Sequence, residues 1–276
     1  MLSSVEDGAR ALLKDVATVL SQFPKIEHTI IGGWCPVIRN KSSIPHPGTL
    51  DVDILFRDSN SPGFLSNVIE QLVQSGFDPS AKHPFQLLKK QIVNGKALIY
   101  NIDLLHPRML EDIDSVGLFV DHLELDIPLN NAERRLKEIC SVALPNSEVL
   151  FQKNMHTVES IDGASFSLVT FEGMFVTKMD SCQKQKRERD SFDIYLAFVN
   201  DGVNAQSINQ LASEDNRIGE SLKAFKLHLE NKADEFNKNV IHFCDGIEGS
   251  PAQYVLEKLN GYPSFHRTCA KRRAGR

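Results

Sequence analysis

The chain has few cysteines, and none of them is spaced for a joint task. Cys35, Cys140, Cys182, Cys244 and Cys269 are odd in number and never fall in Cys-x-x-Cys spacing. That argues against a zinc site and against a disulfide framework, and favours a reducing compartment, with the cytoplasm as the expected location. No apolar run approaches the roughly 20 residues a spanning helix needs, so no membrane partner is expected. The N-terminus carries Glu6 and Asp7 and no basic segment ahead of an apolar stretch, unlike a secretory signal. Basic charge is not in excess either: 31 Lys and Arg against 36 Asp and Glu give a net charge of -5. Contact with nucleic acid would therefore have to use a local basic patch. There is no internal repeat and no low-complexity segment.

What is present is a chain of 276 residues with the apolar and charged fractions of a globular protein, long enough for one or two domains. Its most informative stretch is Ile30-Ile31-Gly32-Gly33-Trp34, followed after a loop by Leu50-Asp51-Val52-Asp53-Ile54-Leu55-Phe56. Strand side chains alternate faces, so Asp51 and Asp53 are expected on one face, with Leu50, Val52 and Ile54 turned into a core. Two adjacent carboxylates repel each other, and folding gains nothing obvious from them. They suit a hard divalent cation such as Mg²⁺, shared with substrate phosphate oxygens. Paired glycines let backbone approach a phosphate closely.

Other segments follow from local signals. Ser3-Ser4-Val5-Glu6 resembles a capping box ahead of an amphipathic helix bearing Val5, Ala9, Leu12, Leu13, Val16, Val19 and Leu20, with Pro24 ending it. His28–Ile31 reads as a strand, Trp34 to Arg39 as a short helix or loop, and 40–48 as a loop. Pro62-Gly63 opens a further helix that stops near Gly76. The run from Phe85 to Val93 reads as a strand, with a helix as the alternative, and Asn94-Gly95 is a two-residue hairpin signal feeding a strand over 97–105. If that strand lies beside the one bearing Asp51 and Asp53, Asp103 joins them on the same face. A short strand over 119–127, a helix from Asn131 through Ala143, and strand character at Val149–Phe151 and Ser165–Val169 are expected next. From Thr170 onward the pattern is predominantly helical. His46, His83 and His106 are not at ligand spacing and read as structural or surface groups. Trp34 could pack near a nucleotide, although a lone tryptophan is more often core.

A second constellation lies in the helical part. Phe171, Met174, Phe175 and Met179 could share one helix face, and Phe192, Tyr195, Leu196 and Val199 another. Five basic residues run from Lys178 to Arg189. Near a triphosphate they would offset its charge; equally, Lys184, Lys186 and Arg187 fit a solvated linker. Lys178 stands apart, because an unpaired ammonium amid apolar neighbours is costly.

The Gly32-Gly33…Asp51-x-Asp53 pattern resembles the signature of the DNA polymerase beta-like nucleotidyltransferase superfamily, with a longer spacer that places the excess in 40–48. Lys178 followed by Arg189-Asp190-x-x-Asp193 resembles the later motifs of AbiEii-type nucleotidyltransferases, which include toxins of toxin–antitoxin systems. The resemblance spans roughly 30–196 and implies an α+β fold, a mixed sheet flanked by helices and followed by a C-terminal helical region. The expected division is a catalytic domain over 1–128 and a mostly helical region over 129–276 that completes the active site. The resemblance further implies that Asp51, Asp53 and Asp103 hold two Mg²⁺ ions, and that Gly32, Gly33, Lys178, Arg189 and Asp190 bind a nucleoside triphosphate. Asp103 is the expected general base, with Asp193 a second candidate. The acceptor hydroxyl could belong to tRNA, a protein or an aminoglycoside-like small molecule, and an antitoxin could be a partner. The basic tail from Arg267 to Arg276 could track RNA or lack any partner. A binding or regulatory protein without turnover is the alternative. A phosphohydrolase lacks the histidine ligands or the nucleophilic aspartate it would need.

Overall fold

Seven apolar residues on one face of the first helix set the packing of the sheet region. Ala9, Leu12, Leu13, Val16, Ala17, Val19 and Leu20 are all buried in the computed structural model. Each large side chain taken from water contributes about 1.5–3 kcal/mol. The structure describes residues 2–57, 64–80, 82–107, 119–120, 139–184, 187–244, 246–247 and 249–261. In chain order the elements are α1 (Val5–Leu20), β1 (His28–Ile31), α2 (Trp34–Arg39), β2 (Asp51–Phe56), α3 (Phe64–Gln74), β3 (Asp78–Pro79), β4 (Gln86–Val93), β5 (Lys96–Pro107), β6 (Phe119–Val120), β7 (Ile139–Cys140), β8 (Val142–Leu144), α4 (Glu148–Gln152), β9 (His156–Ile161) and β10 (Ala164–Val169). There follow α5 (Phe171–Lys178), a 3-10 turn (Ser181–Gln183), α6 (Glu188–Val199), α7 (Ala205–Glu214), α8 (Asn216–Asn231), α9 (Ala233–Phe243) and α10 (Pro251–Leu259).

The chain forms two units. One comprises Met1–Trp34 and Gly48–Val169; the other comprises Cys35–Pro47 and the chain from Thr170 onward. The sheet region thus reaches Val169, beyond the expected division at 128, because β8, β9 and β10 join the same sheet. The segment Cys35–Pro47 belongs with the helices, which no local pattern announces.

The sheet runs β3-β4-β5-β2-β1-β10-β9, with β8 also pairing β5. It is mixed: β2 with β5, β1 with β10 and β5 with β8 are parallel, and the other pairs are antiparallel. The hairpin β4–β5 turns at Asn94 (φ 49) and Gly95 (φ 76), the left-handed pair that a two-residue turn requires. One face buries Val52, Ile54, Phe56, Leu87, Ile102 and Leu104. Helix α1 lies on that face, since Tyr100 Oη donates to the Val5 carbonyl and Lys89 Nζ to Asp15. The opposite face carries Asp51, Asp53, Asn101 and Asp103.

The helical unit is centred on α6, whose residues from Asp190 to Phe198 are all buried. Helices α5 and α9 pack on it, and α10 contacts α6, α8 and α9. Aromatic rings fill the space between them: Phe175 meets Phe198 and Phe225 edge-on, each at 5.4 Å, and Phe192 meets Phe243 at 5.6 Å. Thr170, Asn204, Asp215 and Ser250 cap α5, α7, α8 and α10 through side-chain oxygens.

Several local expectations are corrected. The capping box is one residue later, Ser4 with Asp7, so Ser3 and Glu6 are not its members. Leu50 precedes β2 and is 50% exposed, so it does not share the core with Val52 and Ile54. The end of the expected 131–143 helix is strand, β7 and β8, held by β6 and β5; residues 131–138 lie outside the described residues. Val149–Phe151 sits in α4, and the hairpin partner of β10 is β9, across Asp162 (φ 48) and Gly163 (φ 83). Residue 63, most of 119–127, residue 186 and the tail from 262 also lie outside the described residues. Among the described residues no helix is long and apolar enough to cross a membrane.

Candidate active site

Strand register brings the three acidic residues of the sheet together. Asp53 pairs with Asp103 across the parallel β2–β5 ladder, and Asp51 pairs with Asn101. Paired residues in a ladder share a face, so the three carboxylates occupy neighbouring positions on one side of the sheet. All three are half-buried. Thr49 Oγ1 donates to Asp51 Oδ1 at 2.6 Å. Asp103 Oδ1 accepts from Gln86 Nε2 at 2.8 Å and from Asn101 Nδ2 at 3.2 Å. Gln86 is itself opposite Asp103 on β4, so the neutral donors come from the same sheet.

Gly32 is placed to leave room for Asp53. Its φ is +73, in the left-handed region, and an added Cβ would collide with Asp53 Oδ2. The absent side chain and the carboxylate thus occupy one small volume. Gly33 follows as a buried turn residue. Trp34 is core, 2% exposed, and its indole Nε1–H donates to the Asp51 carbonyl at 2.8 Å. It fixes the backbone that presents the acidic pair.

Carboxylate oxygens at three adjacent positions are the donor chemistry a hard divalent cation takes. Asp51 and Asp103 are turned toward neutral donors, and as the side chains stand no three His, Cys, Asp or Glu among the described residues converge on one point.

The remaining site residues lie in the helical unit. Lys178, only 8% exposed, ends α5, and its ammonium donates to Asp190 Oδ1 and Asp193 Oδ2, both at 2.6 Å. Two of its three N–H donors are thereby committed. Burial works against its charge, yet Asp193 and Asp190 more than offset that and hold the ammonium pKa above its usual range. Asp190 Oδ2 accepts from Ser181 Oγ at 2.7 Å. Asp193, fully buried, accepts from His46 Nε2–H at 2.9 Å on Oδ1. Burial would raise its pKa, but Lys178 and then His46 hold it below the ordinary carboxylate range. Arg189 is half-buried, whereas Lys184 and Arg187 are exposed.

His46 fits the structural one of its two expected readings, since its side chain is buried against Asp193. Its partner is 147 residues away, so no local signal could reveal it. Gln86 and Asn101 were readable in principle, Asn101 as the residue two before Asp103 on the same strand and Gln86 as its partner across the hairpin. Cysteine chemistry plays no part here: burial pushes the Cys35 thiol up to about 12 and raises Cys182 likewise. A hollow of about 810 Å³ runs along α9, lined by Glu188, Asp234, Glu235, Lys238, His242 and Phe243 among others. None of the expected site residues lines it, and its acidic rim suits no phosphate. The carboxylate face is the better candidate on chemical grounds.

No protein-family model matches the chain, and no curated protein matches it significantly. Among solved structures the chain is similar to an antigenic nucleotidyltransferase-like protein from Paracoccidioides brasiliensis, at 13% sequence identity and a TM-score of 0.43, over 85% of this chain and 94% of that one.

Proposed function

We propose that the protein is a nucleotidyltransferase, moving a nucleoside monophosphate from a nucleoside triphosphate to an acceptor hydroxyl and releasing pyrophosphate. The observation that carries this reading is the Asp53–Asp103 register pair with Asp51 on the same face. Adjacent carboxylates repel, so a sheet that keeps three together gains from a charge they bind. Turned away from their present donors, Asp51, Asp53 and Asp103 would hold Mg²⁺, which when bound neutralises phosphate oxygens and lowers the pKa of an attacking hydroxyl.

The chain's own groups have separable tasks. Asp103 would accept the acceptor's proton, its orientation held by Gln86 and Asn101. The turn at Gly32 and Gly33 offers backbone N–H groups to phosphate oxygens. Lys178 and Arg189 are the expected source of positive charge for the triphosphate, and Lys178 keeps one N–H beyond its bonds to Asp190 and Asp193. In-line attack on the α-phosphorus then breaks the bond to the bridging oxygen, and pyrophosphate leaves with the electron pair.

The test is incubation with each α-labelled nucleoside triphosphate, Mg²⁺ and total tRNA, cell protein or aminoglycosides. Label should enter one fraction, and Asp53→Asn should abolish it while leaving the fold intact or slightly more stable, since carboxylate repulsion is relieved. Full activity in Asp53→Asn would overturn the reading. A second reading, a nucleotide-binding protein without turnover, is favoured by one observation: Asp51 and Asp103 face neutral donors, and the three carboxylates do not converge on one point. It expects calorimetric nucleotide binding with no pyrophosphate release.

A further inference from the structure

We propose that the loop 40–47 is a strap that delivers His46 to Asp193, and that His46 is a positioning residue for the transfer reaction, setting Asp193 and through it the Lys178 ammonium. This rests on the nucleotidyltransferase reading.

The strap is anchored at its start without His46. Asn200 Oδ1 accepts the backbone N–H of Lys41 at 2.7 Å and of Ser42 at 3.1 Å, and Asn200 Nδ2 donates to Asn40 Oδ1 at 3.0 Å. Asn40 Nδ2 also closes the loop onto the Ile44 carbonyl at 2.6 Å, and Ile44 is buried. Anchoring alone therefore explains the loop's path. It does not explain a histidine reaching into an ionic cluster with its side chain only 4% exposed.

The cluster gives that histidine a task. Asp193 divides its two oxygens, Oδ1 to His46 and Oδ2 to Lys178. An ionised carboxylate only accepts, so Nε2 of His46 carries the proton in this bond. A donor on each oxygen fixes the rotation of the carboxylate plane. Without His46, Oδ1 is a buried acceptor that has lost this donor, and the cheapest remedy is to turn toward Lys178. Because an ammonium is tetrahedral, its two bonds to Asp190 and Asp193 set where its third N–H points. Rotation of Asp193 would re-aim that donor, and reactions that depend on alignment are sensitive to shifts of this size.

The experiment measures kcat, KM for the nucleoside triphosphate and thermal midpoint for wild type, His46→Ala, His46→Gln, Asn200→Ala, Asp193→Asn and the His46→Ala/Asp193→Asn double variant. His46→Ala should lower kcat by about 10- to 100-fold with a smaller change in KM. His46→Gln, which can still donate N–H to the carboxylate, should recover most of that loss. Asn200→Ala loosens the same loop and should lower the midpoint while keeping kcat within about threefold. The double variant should be no slower than Asp193→Asn alone, because one effect runs through the other. Unchanged kcat in His46→Ala, multiplying effects in the double variant, or an Asn200→Ala as slow as His46→Ala would each overturn this inference alone. A wild-type chain that turns over no nucleotide would overturn the parent reading, and the positioning role with it.

Discussion

Aspartates meet opposite treatment in the two regions of the molecule. On the sheet, Asp51 and Asp103 are half-buried and accept from neutral donors, Thr49, Gln86 and Asn101. In the helical unit, Asp190 and Asp193 are buried and share a lysine that is itself buried. The first arrangement orients negative charge without cancelling it. The second offsets one of its two negative charges internally, through Lys178. The same residue type thus keeps its charge uncompensated where its partners are neutral, and carries a built-in counter-ion where it is buried.

The sharpest way to break this contrast is to remove one charge from each side. Lys178→Met should cost about 3–5 kcal/mol, because it strands two buried carboxylates with little water to replace the ammonium. Asp53→Asn removes a charge from the sheet and should leave stability near that of wild type while ending transfer. Urea unfolding followed by far-ultraviolet circular dichroism compares them directly. A Lys178→Met chain as stable as wild type would show that the cluster is not what holds α5 against α6.

A smaller effect is expected where the sheet's site touches its own backbone. Gly32→Ala meets both a left-handed φ and the Asp53 carboxylate, and should destabilise by about 1–3 kcal/mol. Transfer should fall as well, because relief of the clash moves Asp53. Trp34 is the single tryptophan, and it bonds the Asp51 carbonyl, so its fluorescence reports this region specifically. An alanine variant with wild-type emission, stability and activity would mean that Asp53 can turn away at no cost, which would weaken its assignment.

How much of this was legible follows the range of the signals. His28–Ile31 is a strand with the expected bounds, and the face shared by Asp51 and Asp53 follows from period-two alternation. Asn94-Gly95 fixed the hairpin, and with it the opportunity for Asp103 to arrive beside Asp53. Short apolar runs without such punctuation failed: Ile139–Leu144 fitted a helix as well as strands, and Val149–Phe151 fitted a strand as well as α4. Partners on the sheet decided the first case. The link from His46 to Asp193 had no local trace, since a polar loop residue looks the same whether it meets water or a buried carboxylate. Lys178 was conspicuous because an ammonium among apolar residues needs an answer, and the sequence held Asp190 and Asp193 at helical spacing to give it.

The smallest expected effect is in the pH dependence, and it separates the buried histidines from the ionic cluster by window. Burial holds His28 and His156 in the sheet region below the usual imidazole value of 6.5, with the Ile26 carbonyl and Glu27 opposing weakly. Below 6.5 the unfolded chain takes up protons that the folded one refuses, so stability falls as pH drops toward the folded values and then levels. His228 on α8, also lowered by burial, adds the same trend to the helical unit. The ionic cluster behaves otherwise. The contribution of Asp193 is present above the ordinary value of 3.8 and is lost as pH falls through its lowered folded value. That of Lys178 is present below 10.5 and is lost only as pH rises through its raised one. Acidifying from neutral to about pH 5 should therefore lower the urea midpoint modestly through the histidines alone. His28→Gln should flatten part of that decline when Trp34 is the probe. A decline that survives in His28→Gln at full size would place the titrating group elsewhere and remove this distinction.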